Sequence, residues 1–284
     1  MRKTRHKFLA GAACGLCALL LVANGGMVKK ASASAYYCDD GLYEGEGTRV
    51  STTYTVEYDS YVEHNEYRVS CAPSLHNGGT GATNCCSSTA GTNVVAFYDR
   101  YYTNLIPNFD PGVSVSGVYF YFSNIEGVKI PALHTTLYNY MNVNVNYPGA
   151  SEDDFKSGLK RYVNEQGYSV NYRSAHQNAK TVNLTKIQQM VNNHQVAVLC
   201  FSGYNFVFDI IDNSGSRTVY QEAVDAGHMM MVFGYFTVDY YKNGQLFLTE
   251  TFLEASSCNA MADQGYIKLN DYGNIDDAFV VEIS

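Results

Sequence analysis

The chain has 284 residues, 46% of them hydrophobic and 16% charged, with 25 tyrosines, no tryptophan and a formal net charge of −8. Six of the 19 basic residues and none of the 27 acidic ones precede residue 36, so the remaining stretch of about 249 residues carries about −14. That surface is expected to repel nucleic acid and anionic membranes, so no nucleic-acid partner is expected, and the length suffices for one large domain or two packed lobes with a real core.

Residues 1–35 read as an export signal. Arg2, Lys3, Arg5 and Lys7 form a basic start, an apolar stretch runs from Phe8 to Val28, and Ala31-Ser32-Ala33-Ser34-Ala35 offers small-residue cleavage sites. Asn24, Gly25 and Gly26 interrupt the apolar stretch, and no later run is long enough to span a bilayer, so no stable membrane anchor is expected after cleavage near Ala33 or Ala35. The expected location is extracellular. Residues 36–70 are rich in Tyr, Thr, Val and Glu with partial alternation, which predicts a β-rich arm or a pro-segment. The stretch "LHNGGTGATN" then reads as a glycine-rich loop.

Past this loop, Val94, Phe97, Tyr98 and Tyr101 make one stripe of a helix that starts near Asn84 or the following serines, so Cys85 and Cys86 fall in its first turn. Two further helices are predicted. "SEDDFKSGLKRYVNEQG" is capped by Ser151, with Phe155, Leu159, Tyr162 and Val163 on one face, and "NLTKIQQMVNNH" is capped by Asn183. The rest reads as strands: "VAVLCFSG", "NFVFDII", "TVYQEAV", "HMMMVFGYFTVDYY", "QLFLTET", "GYIKLN" and "AFVVEI". Helices first and an antiparallel sheet second predict an α+β fold of two lobes with a cleft between them.

A thiol in the first turn of a helix feels the positive end of the helix dipole, which favours thiolate. It becomes a catalyst beside a histidine. Of the seven histidines, His6 leaves with the signal, His64 and His76 lie in polar surroundings, His134 reads as part of a loop, His176 follows a strand and His194 ends a helix. His228 opens the most apolar strand of the chain. A histidine at a strand start is commonly structural, but a helix-start cysteine earlier in the chain shifts the balance toward a Cys–His pair.

"CCSSTAGTNVVAFYDRYY" together with "GHMMMVFGY" resembles the papain-like cysteine peptidases of the bacterial C39-like and streptopain-like groups. Their cysteine opens a helix, with Thr and Ala shortly after it and an aromatic pair further on, and their histidine stands in a Gly-His strand ending in Gly-Tyr. Counting from Cys86 places Thr89, Ala90, Phe97 and Tyr98 at those positions; counting from Cys85 fits less well. The resemblance implies a papain-like two-lobe fold over 71–284, with the cysteine-bearing helix packed against an antiparallel sheet that carries the histidine. It implies hydrolysis of peptide bonds in a peptide or protein substrate through Cys86 and His228, with no cofactor and no metal.

Glu250 is the positional candidate for orienting the imidazole, and Asn270 or Asp271 competes with it. Plain hairpin geometry about "KNG" places residues near 259 opposite His228, so Glu250 requires a bulge or an offset strand. Relatives carry a Gln before the cysteine as oxyanion donor; here Asn77 or His76 stands in that region, and the backbone N–H of Cys86 is a further donor. Three other readings remain open. Cys85, Cys86, His76 and Cys258 could form a zinc site, although adjacent cysteines rarely ligate one ion and the mature chain holds no Cys-x-x-Cys spacing. Cys38, Cys71, Cys85 and Cys258 could form disulfides of undetermined connectivity. The chain could also be an exported binding protein that has lost catalysis.

Overall fold

Alternating Thr, Val and Tyr build most of the structure. In the computed structural model, which describes residues 49–64, 72–73, 84–116, 118–121, 129–178, 180–259 and 262–284, 51% of those residues lie in strands and 24% in four helices. The order is β1 (Arg49–Glu57), β2 (Ser60–His64), α1 (Cys86–Asp99), β3 (Gly112–Val115), β4 (Val118–Tyr121), α2 (Lys129–Tyr140), α3 (Glu152–Glu165), β5 (Val170–Ser174), β6 (His176–Asn178), β7 (Thr181–Val182) and α4 (Leu184–Asn192). Then come β8 (Val196–Asn213), β9 (Ser216–Val224), β10 (His228–Lys242), β11 (Gln245–Asn259), β12 (Ala262–Lys268) and β13 (Gly273–Ile283). All these residues belong to one unit, Tyr36–Ser284.

Among the described residues nine strands form a single antiparallel sheet whose main path is β1-β9-β8-β12-β11-β10-β2, with β13 branching from β8 and β5 pairing with β13. The expected papain-like two-lobe α+β fold is therefore incorrect: the molecule is a large sheet-dominated fold. The reason lies in strand length. "VAVLCFSG" and "NFVFDII" read as two strands broken at Ser202-Gly203, but β8 runs through that point for 18 residues. Its first part lies between β10 and β13, with Phe201 opposite His228 and Cys200 opposite Asp277, and from Tyr204 onward it pairs with β9 instead. One long strand thus serves both ends of the sheet. The segment read as an arm or pro-segment supplies β1, paired with β9, and β2, paired with β10.

Two apolar cores follow from this arrangement. The larger one joins the helices to the sheet around His228, and the smaller one lies among Val56, Val207, Val219, Phe236, Val238, Tyr240 and Phe252. β12 closes on β8 at Gly265, where a Cβ would stand 2.5 Å from the Val207 carbonyl oxygen, so only glycine permits the approach. α1 is buried along its whole length rather than on one stripe, and it ends at Asp99, before Tyr101. A helix apolar or small on every side is a core helix. α2 was not legible as a helix, and His134 lies within it rather than in a loop. No helix among the described residues is long and apolar enough to cross a membrane.

Candidate active site

α1 begins at Cys86 because Thr89 N–H bonds to the Cys85 carbonyl at 2.9 Å, closing the first helical turn. Cys85 is disulfide-bonded, and its side chain does not cap the helix. Cys86, Cys200 and Cys258 remain thiols. The adjacent cysteines therefore have different fates, one a structural crosslink and the other a thiol at the helix start.

A cavity of about 360 Å³ is lined by Cys86 from α1, Cys200 and Ser202 from β8, His228 from β10 and Gly149 from the loop after α2. Cys86 and His228 thus share one cavity. The loop wall is held by amide side chains. Asn84, itself in the cavity lining with φ +51°, donates from Nδ2 to Asn144 Oδ1 at 3.0 Å, and the same oxygen accepts the Gly149 N–H at 2.8 Å. Asn144 N–H in turn donates to the Gly149 carbonyl at 2.9 Å, so the loop closes on itself beside the cysteine. Glu152 at the start of α3 and Asp276 from β13 also line the cavity and give it two carboxyl groups. Burial first, and the neighbouring Asp277 next, raise the Glu152 carboxyl above its usual range.

His228 is oriented by the main chain. Its Nε2 lies 2.7 Å from the Ser257 carbonyl oxygen, and its ring stacks on Tyr204 with centroids 4.8 Å apart at 23°. A carbonyl only accepts, so Nε2 carries the hydrogen, and in the neutral ring Nδ1 carries the lone pair. β10 and β11 put Met231 opposite Ser256 and Val232 opposite Ala255, a register that brings Ser257 toward His228.

The structure does not bring Glu250 to this site. It pairs with Val238, ten residues along β10 from His228 or about 33 Å at strand rise, and is buried in the smaller core with Lys268 Nζ at 2.7 Å and the Tyr54 hydroxyl at 3.0 Å. The offset strand that its assignment required does not occur. Asp271 is also elsewhere, accepting from Asn205 Nδ2 at 3.0 Å, and Asn270 occupies a turn with φ +72°. Asn77 and His76 lie outside the described residues.

The other thiols are set for inertness. Burial pushes Cys258 up to about 12, and burial together with Asp277 raises Cys200 well above the ordinary thiol range. His134 is fully buried, and burial pushes it down to about 4. Among the described residues no three or more His, Cys, Asp or Glu side chains group to hold a metal ion. Sequence reasoning missed the Ser257 carbonyl, since every residue has one and only register selects it, and it missed the Asn84–Asn144 clamp, which joins residues 60 apart.

No family model, curated protein or solved structure matches the chain.

Proposed function

We propose that the chain is a secreted cysteine peptidase in which Cys86 is the nucleophile and His228 its acid–base partner. One observation carries this reading: a helix-start thiol and an imidazole whose Nε2–H is committed to a backbone carbonyl line the same cavity. In that tautomer Nδ1 takes the Cys86 thiol proton, and the sulfur attacks the scissile carbonyl carbon. The resulting oxyanion is held by backbone N–H groups at the start of α1, that of Cys86 among them. His228 then gives its proton to the leaving amine as the C–N bond breaks, and a water deprotonated by His228 hydrolyses the thioester and restores the thiol. The two carboxyl groups of the cavity lining, Glu152 and Asp276, favour neutral or basic peptides over acidic ones.

Export is part of the same proposal. It is supported by the basic, apolar, small-residue order of residues 1–35 and by the disulfide at Cys85, which suits an oxidising compartment.

The test is peptide turnover and labelling by a thiol-reactive peptide-like inhibitor in the mature protein. Cys86→Ala is expected to abolish both, and His228→Ala to lower turnover by about 10²- to 10⁴-fold. Labelling that persists in Cys86→Ala would refute the assignment.

A further inference from the structure

We propose that His134 is a positioning residue that acts through Ser88 on the peptide linking Cys85 to Cys86, and so on the backbone donor that stabilises the oxyanion. This rests on the cysteine-peptidase reading above. His134 Nε2 lies 3.0 Å from Ser88 Oγ and 3.3 Å from Thr89 Oγ1, while Ser88 Oγ lies 3.0 Å from the Cys85 carbonyl oxygen. The Cys85 carbonyl only accepts, so the single Ser88 hydrogen points there. The contact between Ser88 and His134 then needs its hydrogen from the imidazole. Nε2–H donates to Ser88 Oγ, and Ser88 donates onward to Cys85.

That carbonyl accepts the Thr89 N–H at 2.9 Å as well. Two hydrogen bonds at the oxygen of one amide fix its plane and draw electron density toward that oxygen, which makes the N–H at its other end a stronger donor. This N–H belongs to Cys86. Ser88, Thr89 and His134 are all fully buried, so no solvent competes along the chain of bonds. His134 does not line the cavity and cannot touch substrate. Its burial also keeps the ring neutral, so it supplies one hydrogen and no charge. α2 therefore does more than cover α1: it sets the orientation of the first peptide of the cysteine helix.

Alkylation by iodoacetamide and acylation by a peptide ester separate this role from simple support of the fold. Displacement of iodide by the thiolate forms no oxyanion, whereas acyl transfer does. In the full mature protein, Ser88→Ala and His134→Met are expected to leave the iodoacetamide rate of Cys86 at the parental value and to slow ester acylation about ten-fold, less than loss of a direct donor. His134→Gln, whose amide presents a donor near the place of Nε2, is expected to recover acylation. Parental acylation in both Ser88→Ala and His134→Met would overturn the proposal, and so would equal loss of alkylation and acylation, which marks a deformed helix start. A parent protein that alkylates but is never acylated would instead remove the peptidase reading, and this proposal with it.

Discussion

At the scale of single residues, stability separates from chemistry at Glu250. Glu250 is almost fully buried against Lys268 and Tyr54, far from His228, so Glu250→Gln is expected to leave turnover at the parental level and to cost about 2–4 kcal/mol of stability by breaking a buried pair. Urea unfolding alongside a turnover assay checks both halves, and lost turnover at full stability would return Glu250 to the mechanism. His134 gives a pH signature. Its folded value lies near 4 against 6.5 for the free ring, so the unfolded chain binds more protons between those values. The stability this ring contributes is full above about pH 6.5, falls as the pH drops toward about 4 and is lost below, a range worth roughly 3 kcal/mol. Denaturation midpoints across that window are expected to fall less steeply in His134→Gln than in the parent. Cys86 and His228, which line one cavity, were legible from local signals, a helix start and a strand start. The orienting group was not, because a backbone carbonyl leaves no trace in side-chain identity.

Among elements, legibility follows how local the determining contact is. Ser151 and Asn183 cap α3 and α4 as read, accepting the N–H of Asp154 at 3.0 Å and of Lys186 at 3.1 Å, because a cap is settled within three residues. The turn after β10 is equally local: Asn243 and Gly244 both have positive φ, as a two-residue hairpin requires, and the register that follows favours Ser257 over Glu250. α2 carries Pro131 in its first turn, where no amide hydrogen is needed, so the proline does not break the helix. Helix packing offers a sharp test. A Cβ at Gly158 of α3 would stand 2.8 Å from the backbone nitrogen of Met141, whereas one at Gly91 of α1 would meet the movable Met141 Cε at 2.6 Å. Gly158→Ala is expected to cost about 1–3 kcal/mol and Gly91→Ala less, as read by thermal unfolding; the reverse order would show that the α3 backbone yields.

Over the whole molecule, the fold class was misread because it depends on contacts no local pattern reveals. β8 joins both cores by changing partners at Tyr204, and β1 and β2 reach strands more than 150 residues away. The end of α1 is likewise fixed by the last strand, with the Tyr98 hydroxyl donating to the Val281 carbonyl at 2.5 Å and Tyr102 to that of Ile283. The cysteine helix is thus anchored at its start by Cys85 and at its end by β13. The proposed export is tested on the whole chain. N-terminal sequencing of released protein is expected to begin near Ser34 or Tyr36, and an intact Met1 on cell-associated material would contradict it.

The proposed pairing of Cys86 with His228 is tested most directly by the rate of Cys86 alkylation against pH. A thiolate stabilised by both the helix start and a neighbouring imidazolium keeps reacting at mildly acidic pH. The parent is expected to show that behaviour, and His228→Ala to react appreciably only under alkaline conditions, as an ordinary thiol does. Superimposable profiles for the two proteins would mean that His228 does not act on Cys86, and the peptidase reading would fall.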